Sequence, residues 1–142
     1  VLLKVLPEKV SENWSYFAPA IYKSLPVGKP SYDMMVSVLE AILLERLLVW
    51  EYYEDGKPVF IMTTKMYHDN VVKNRKLLIY SITGMKKVTS PMIVETVKAL
   101  KKYGKSNMCV SIIAFVENEI IINYLQKLGA QTDFRLIEME IV

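Results

Sequence analysis

Two almost continuous apolar runs, Leu77–Ile82 and Met108–Phe115, flank a segment that opens with Ser90-Pro91. Leu77–Ile82, apolar without alternation, reads as a strand covered on both faces, hence central in a sheet, and Met108–Phe115 as the next buried strand. Ser90 at an N-cap with Pro91 at the first helical position is a well-formed helix start. Ile93, Val97 and Leu100 then recur on one helical face, and Gly104 stands where a C-terminal cap is expected. A helix joining two buried strands is a crossover, so these strands are parallel and the connection right-handed.

The rest of the chain must fit around that unit. Val1–Leu6 reads as a short strand stopped by Pro7. Ser11 is a candidate N-cap for a helix from Glu12, with Trp14, Phe17, Ile21 and Leu25 at helical spacing and Pro19 expected to kink it. Leu25–Tyr32, with Pro26, Gly28 and Pro30, is a loop. Ser31 caps a second helix whose stripe is Met34, Met35, Val38, Leu39, Ile42 and Leu43, and Asp33 suits its dipole. Met34 and Met35 are expected in the core. At Leu47 the period turns extended. Leu47–Glu54 and Val59–His68 are strands joined by Asp55-Gly56, a strong hairpin signal. Asp69–Lys76 is a polar connection. Asn118 opens a last helix with Ile121, Ile122, Leu125 and Leu128, closed by Gly129, and Phe134–Ile141 alternates as a final strand. The expected order is β-α-α-β-β-β-α-β-α-β in one α/β domain over residues 1–142, a mixed central sheet flanked by helices.

With 52% apolar residues among 142, the chain can bury a sizeable core without crosslinks. No run approaches the ~20 apolar residues of a membrane span, and Val1–Val10 reads as a strand rather than a secretion signal. Cys109 is the only cysteine and is expected to be a small core residue, which fits a reducing, cytoplasmic setting. A net charge of +3 suits a polyanionic cofactor but is far from a nucleic-acid footprint. Neither membrane nor nucleic acid is an expected partner; a homo-oligomer is left open. Lys98, Lys101, Lys102 and Lys105 read as a solvated helix face, and Trp50, Tyr52 and Tyr53 as strand residues. No metal site is expected, because His68 is the only histidine and no cysteines cluster.

The element order resembles the GCN5-related N-acetyltransferase (GNAT) fold over essentially the whole chain, and the residue likeness concentrates in Leu77–Ala130. Asn118, Ile121, Ile122, Lys127, Leu128 and Gly129 stand where many members carry an Asn, an apolar pair and a closing Lys-Leu-Gly. The resemblance implies acetyl-CoA as cofactor. Its pyrophosphate would sit at the turn delivering the chain into the Ser90-Pro91 helix start, since a helix N-terminus offers unpaired N–H groups and a positive dipole end. The implied cofactor-binding residues at the turn are Gly84, Met85, Lys86, Lys87, Thr89 and Ser90, together with Asn118. In the family the strand before this turn splays from the next parallel strand and its exposed backbone bonds the pantetheine arm, which here implies Ser81, Ile82 and Thr83. Gly84 is expected to permit close backbone approach or positive φ.

Two departures from the family pattern stand out. The usual turn carries two spaced small residues, and here only Gly84 is small. The position seven after the Asn is often a Tyr acting as general acid; here it is Leu125, with Tyr124 one residue earlier and about 100° away on the helix. Tyr124 is nevertheless the candidate acid. Glu51, Glu117 and His68 are candidate bases by location near strand ends, His68 reading otherwise as a surface residue. The resemblance thus implies acetyl transfer to a small-molecule or protein amine. The alternative is a GNAT-fold binding or structural protein without catalysis; small divergent GNAT-like proteins encoded by phages also resemble this chain in size and order.

Overall fold

Pro7 does end the first strand, but it also begins a helix. In the computed structural model, which describes residues 1–133 and 136–142, the order is β1 (Leu2–Val5), α1 (Pro7–Glu12), α2 (Trp14–Ser24), α3 (Tyr32–Leu43), β2 (Leu48–Glu54), β3 (Lys57–Asp69), β4 (Asn74–Gly84), α4 (Ser90–Ser106), β5 (Ser111–Ala114) and α5 (Glu119–Lys127). The five strands form one sheet in chain order. β1 to β4 are successively antiparallel, and β4 and β5 are parallel. This is the expected mixed α/β architecture.

Several boundaries differ from expectation, each for a local reason. Ser11 lies inside α1 and caps nothing; Asn13 opens α2, and Pro19 sits within that helix without ending it. Pro7 is tolerated at the start of α1 because the first-turn N–H has no helical acceptor to lose. Thr89, not Ser90, is the N-cap of α4. Gly104 does not end α4. It is buried in the helix at a close approach, where a Cβ would lie 3.5 Å from Cys109 Cβ and 3.8 Å from a Leu77 methyl. The closing strand is not formed over Leu136–Ile141; Phe134 and Arg135, the first part of that expectation, lie outside the described residues. With no strand beyond it among the described residues, β5 is a four-residue edge without a buried residue, and Met108 and Val110 are exposed, so Met108–Phe115 is not the buried strand its apolar run predicts.

Other signals were read correctly. Ser31 Oγ accepts the Met34 N–H at the head of α3. Asp55 and Gly56 have φ of 51° and 72°, the two left-handed residues that a tight hairpin twisting with its strands requires. Gly129, at φ 96°, ends α5; its N–H reaches Gln126 O, and the Ala130 N–H reaches Leu125 O.

The sheet is covered on both faces. On one, Trp50, Tyr52, Phe60, Met62, Leu77 and Ile79 pack beneath Met92 and Leu100 of α4. On the other, Val49 and Ile61 pack beneath Val10, Phe17, Ile21, Met35 and Ile42 of α1 to α3. Cys109 is half-buried beside the first core, its Sγ 3.4 Å from Met66 Sδ. The α5 stripe is only half-buried, and Leu128 is exposed. Among the described residues no helix is long and apolar enough to cross a membrane.

Candidate functional site

β4 and β5 are paired over a short stretch only. Their register runs from Lys76↔Ser111 to Ile79↔Ala114, and a last backbone bond joins Phe115 N–H to Ile79 O at 3.2 Å. β4 continues to Gly84. Beyond Ile79 it is held by β3 on one side and by no strand among the described residues on the other. The divergence begins at an irregularity. Thr63 pairs with Ser81 but Thr64 pairs with Ile79, so Tyr80 is a surplus residue on β4. A bulge bends its strand and increases the local twist, which carries the end of β4 away from the shorter β5.

On the β4 side of this opening stand Ser81, Ile82, Thr83 and Gly84, and two of these side chains already have partners. Ser81 Oγ lies 2.5 Å from Thr63 Oγ1 in the buried sheet. Thr83 Oγ1 bonds Ala20 O and Ser24 Oγ of α2, each at 2.6 Å. These hydroxyls fix the strand to its surroundings, so only its backbone edge faces the opening. Gly84 pairs with Phe60, has no positive φ, and a Cβ there would meet Lys86 O at an ordinary 3.5 Å. The expectation that Gly84 supplies conformational freedom is therefore corrected; it is a regular strand end.

The turn into α4 is half closed. Met85 N–H and Lys86 N–H both donate to Val59 O, at 2.8 and 3.2 Å. Thr89 N–H points at Met92 Sδ at 3.5 Å, and Pro91 has no N–H to offer. Lys87 and Val88 N–H groups have no backbone partner among the described residues, and Ser90, in the first turn, has no intrahelical acceptor. The Lys86 and Lys87 side chains are exposed and make no salt bridge among the described residues.

The β5 side carries Glu117, Asn118 and Tyr124. Glu117 is exposed in the segment that leaves β5. Asn118 Oδ1 caps α5, accepting from Ile120 N–H at 2.9 Å and Ile121 N–H at 3.3 Å, which leaves its amide NH2 as the group free for another partner. Tyr124 is half-buried in α5, which contacts α4. His68 is elsewhere. It pairs with Arg75 at the other end of β4 from Gly84, about 30 Å along the strand at the usual rise per residue. There it borders a hollow with Asp69, Asn70, Lys73 and Met108. The fold does not bring His68 together with the other candidates.

Glu51, expected near a strand end, lies instead at the middle of β2, in an environment the sequence did not disclose. It is 5% exposed and lies on one cross-strand row with Ile61 and Thr83. Tyr53 and Tyr16 donate to its two carboxylate oxygens at 2.8 and 3.0 Å, and the Tyr16 hydroxyl lies 3.6 Å from Met85 Sδ. Burial, then the bond to Glu51, pushes the Tyr53 phenol up to about 12 and raises Tyr16 as well. Both tyrosines therefore stay protonated donors to a carboxylate held beside the turn.

No protein-family profile matches the chain, and no curated protein matches it. Solved structures do. One described as a probable acetyltransferase superposes with a TM-score of 0.73 at 10% identity, over 100% of this chain and 98% of that one. The ribosomal-protein-alanine N-acetyltransferase of Brucella melitensis biovar Abortus 2308 gives 0.69 at 9% identity, covering 99% of each. The aminoglycoside N-acetyltransferase AAC(6')-Iy, in complex with a CoA bisubstrate analogue, gives 0.71 at 17% identity over 100% and 97%. Such likeness over full length, at identities this low, speaks to backbone architecture. With its parted parallel strands and its five-stranded mixed sheet, the chain has the fold of the GCN5-related N-acetyltransferases.

Proposed function

We propose that the chain is a divergent, acetyl-CoA-dependent N-acetyltransferase acting on an amine. The observation that carries this reading is the unpaired edge of β4 beyond Ile79, beside the start of α4. A strand edge with free N–H and C=O groups is a template for an extended, amide-bearing ligand, and the pantetheine arm is such a ligand. A helix start with Ser90 and two adjacent lysines suits its phosphates. Neighbours of the same fold were solved with CoA or acetyl-CoA, among them a predicted acetyltransferase from Clostridium acetobutylicum. When bound, acetyl-CoA supplies an activated acyl group.

The chain's own residues would then divide the work. Lys86, Lys87 and the Lys87, Val88 and Ser90 N–H groups hold the phosphates. Backbone N–H groups of β4 near Ser81–Thr83 would serve as donors to a thioester carbonyl, the position where negative charge develops in acyl transfer. Glu117 would be the group to accept the amine's proton, and Tyr124 the group to supply one to a coenzyme thiolate. Asn118 uses its free amide near the same opening.

The test is calorimetric titration with acetyl-CoA. Binding is expected, and Lys86→Ala with Lys87→Ala together should weaken it about tenfold, or about 1.4 kcal/mol. No heat at high ligand concentration overturns the reading. One observation favours the alternative of a non-catalytic GNAT-fold binding protein: Met85 and Lys86 spend their N–H groups on Val59 O rather than leaving them for an anion. Binding of acetyl-CoA with no acetylation of any amine in a broad panel would select that alternative.

A further inference from the structure

A second feature meets the opening from the other face of the sheet. A groove of about 450 Å³ runs between α3 and the sheet, with Met34, Ser37 and Val38 on the helix side and Arg46, Lys65 and Tyr80 opposite. Its floor is Tyr80, the surplus residue of the bulge, with Lys65 Nζ 6.0 Å from the Tyr80 ring and Phe115 set edge-on to it. Its α3 wall is apolar except for Ser37. Met34 is 39% exposed here, while its neighbour Met35 is in the core.

The groove's charge is one-sided. Among the described residues that line it, Arg46 and Lys65 are the only ionisable groups besides the Tyr80 phenol, and neither makes a salt bridge among the described residues. Glu45, the acid adjacent to Arg46, does not line it. The position of Arg46 is built in. Glu45 takes a left-handed φ of 57°, and Arg46 N–H returns to Ala41 O at 2.8 Å, ending α3 with Arg46 at the groove. A volume of this size takes one small molecule, the walls favour an apolar body, and two cations without acid partners favour an anionic group.

We infer that this groove is the acceptor site and that it takes an amine whose apolar, ring-sized body ends in a carboxylate or like anion. Calling the ligand an acceptor rests on the proposed transferase function; the preference for an anionic end rests on the groove alone. The same cations repel polycationic amines, so the chain would not share the aminoglycoside specificity carried in the name of AAC(6')-Iy.

The experiment uses three probes, para-aminomethylbenzoate, benzylamine and spermidine, titrated calorimetrically into the full chain with and without acetyl-CoA. The carboxylate-bearing amine should bind at least tenfold tighter than benzylamine, which lacks only that group, and spermidine should bind weakest. The preference should vanish in an Arg46→Gln, Lys65→Gln variant, both side chains being exposed and their loss harmless to folding. Equal affinities for the two aromatic amines, or a preference that survives the double substitution, would overturn the inference. If the discrimination is seen but acetyl-CoA never binds, the groove stands and the transferase reading fails.

Discussion

Tyr52 on β2 hydrogen-bonds the carboxylate of Glu95 on α4, and the bond moves both titrations. Burial first, and then this bond, pushes the Tyr52 phenol up to about 12 from 10.0, while the same bond holds Glu95 below its ordinary value. A phenol with a raised folded-state pKa keeps its proton while the unfolded chain loses it. Its stabilisation is whole below pH 10.0 and drains away towards pH 12, and the Tyr53 phenol adds to the same slope. Glu95 works at the other end, its contribution present above the unfolded carboxylate pKa and lost as acid protonates it. Denaturant midpoints measured across the alkaline range should therefore fall between pH 10 and 12, and Tyr52→Phe should flatten that fall. Of this chemistry the sequence disclosed little. Trp50, Tyr52 and Tyr53 were legible as strand formers, but a phenol's partner 43 residues away depends on how α4 lies over the sheet. Glu51 was legible only as an acid expected near a strand end. The two tyrosines that enclose it come from β2 itself and from α2, which no spacing rule connects.

Local signals set most helix and strand identities, and they failed where packing overrode them. Gly104 has the right spacing for a cap, yet α4 runs through it because only a glycine or alanine lets the helix sit this close to Leu77 and Cys109. Pro19 is tolerated mid-helix because α2 gains Phe17 and Ile21 in the core. Ser90 lost the cap to Thr89, a one-residue difference of the kind that boundary signals rarely resolve. At the end of α3 the geometry that glycine usually supplies is held by Glu45 at φ 57°. Left-handed backbone costs a residue with a Cβ about 1–2 kcal/mol. Glu45→Gly should thus raise stability by about 0.5–1 kcal/mol in urea denaturation, the smaller end reflecting the greater freedom of glycine in the unfolded chain. A decrease would mean that the Glu45 side chain contributes more than its backbone costs.

The whole molecule is unevenly held. The strands β2 and β3 are paired on both sides for much of their length, β4 is paired with β3 throughout, and the three carry both cores, whereas β5 offers four paired positions and α5 has no fully buried residue. Amide hydrogen exchange should follow that gradient, with Trp50, Met62 and Ile79 slowest and α5 exchanging by local opening well before global unfolding. Equal protection of α5 and β3 would show that α5 is tied down more firmly than its burial indicates. The crossover and the mixed sheet were readable because they depend on periodicity. The parting of β4 from β5 was foreseen only through resemblance, for a bulge leaves no mark in a run such as Leu77–Ile82. That single surplus residue has a further effect. With Tyr80 inserted, Tyr80 and Ser81 both turn toward the α1–α3 layer instead of alternating. The slit in the sheet and the aromatic base beneath the α3 channel thus descend from one inserted amino acid, and a lineage that deleted it would forfeit both at a stroke.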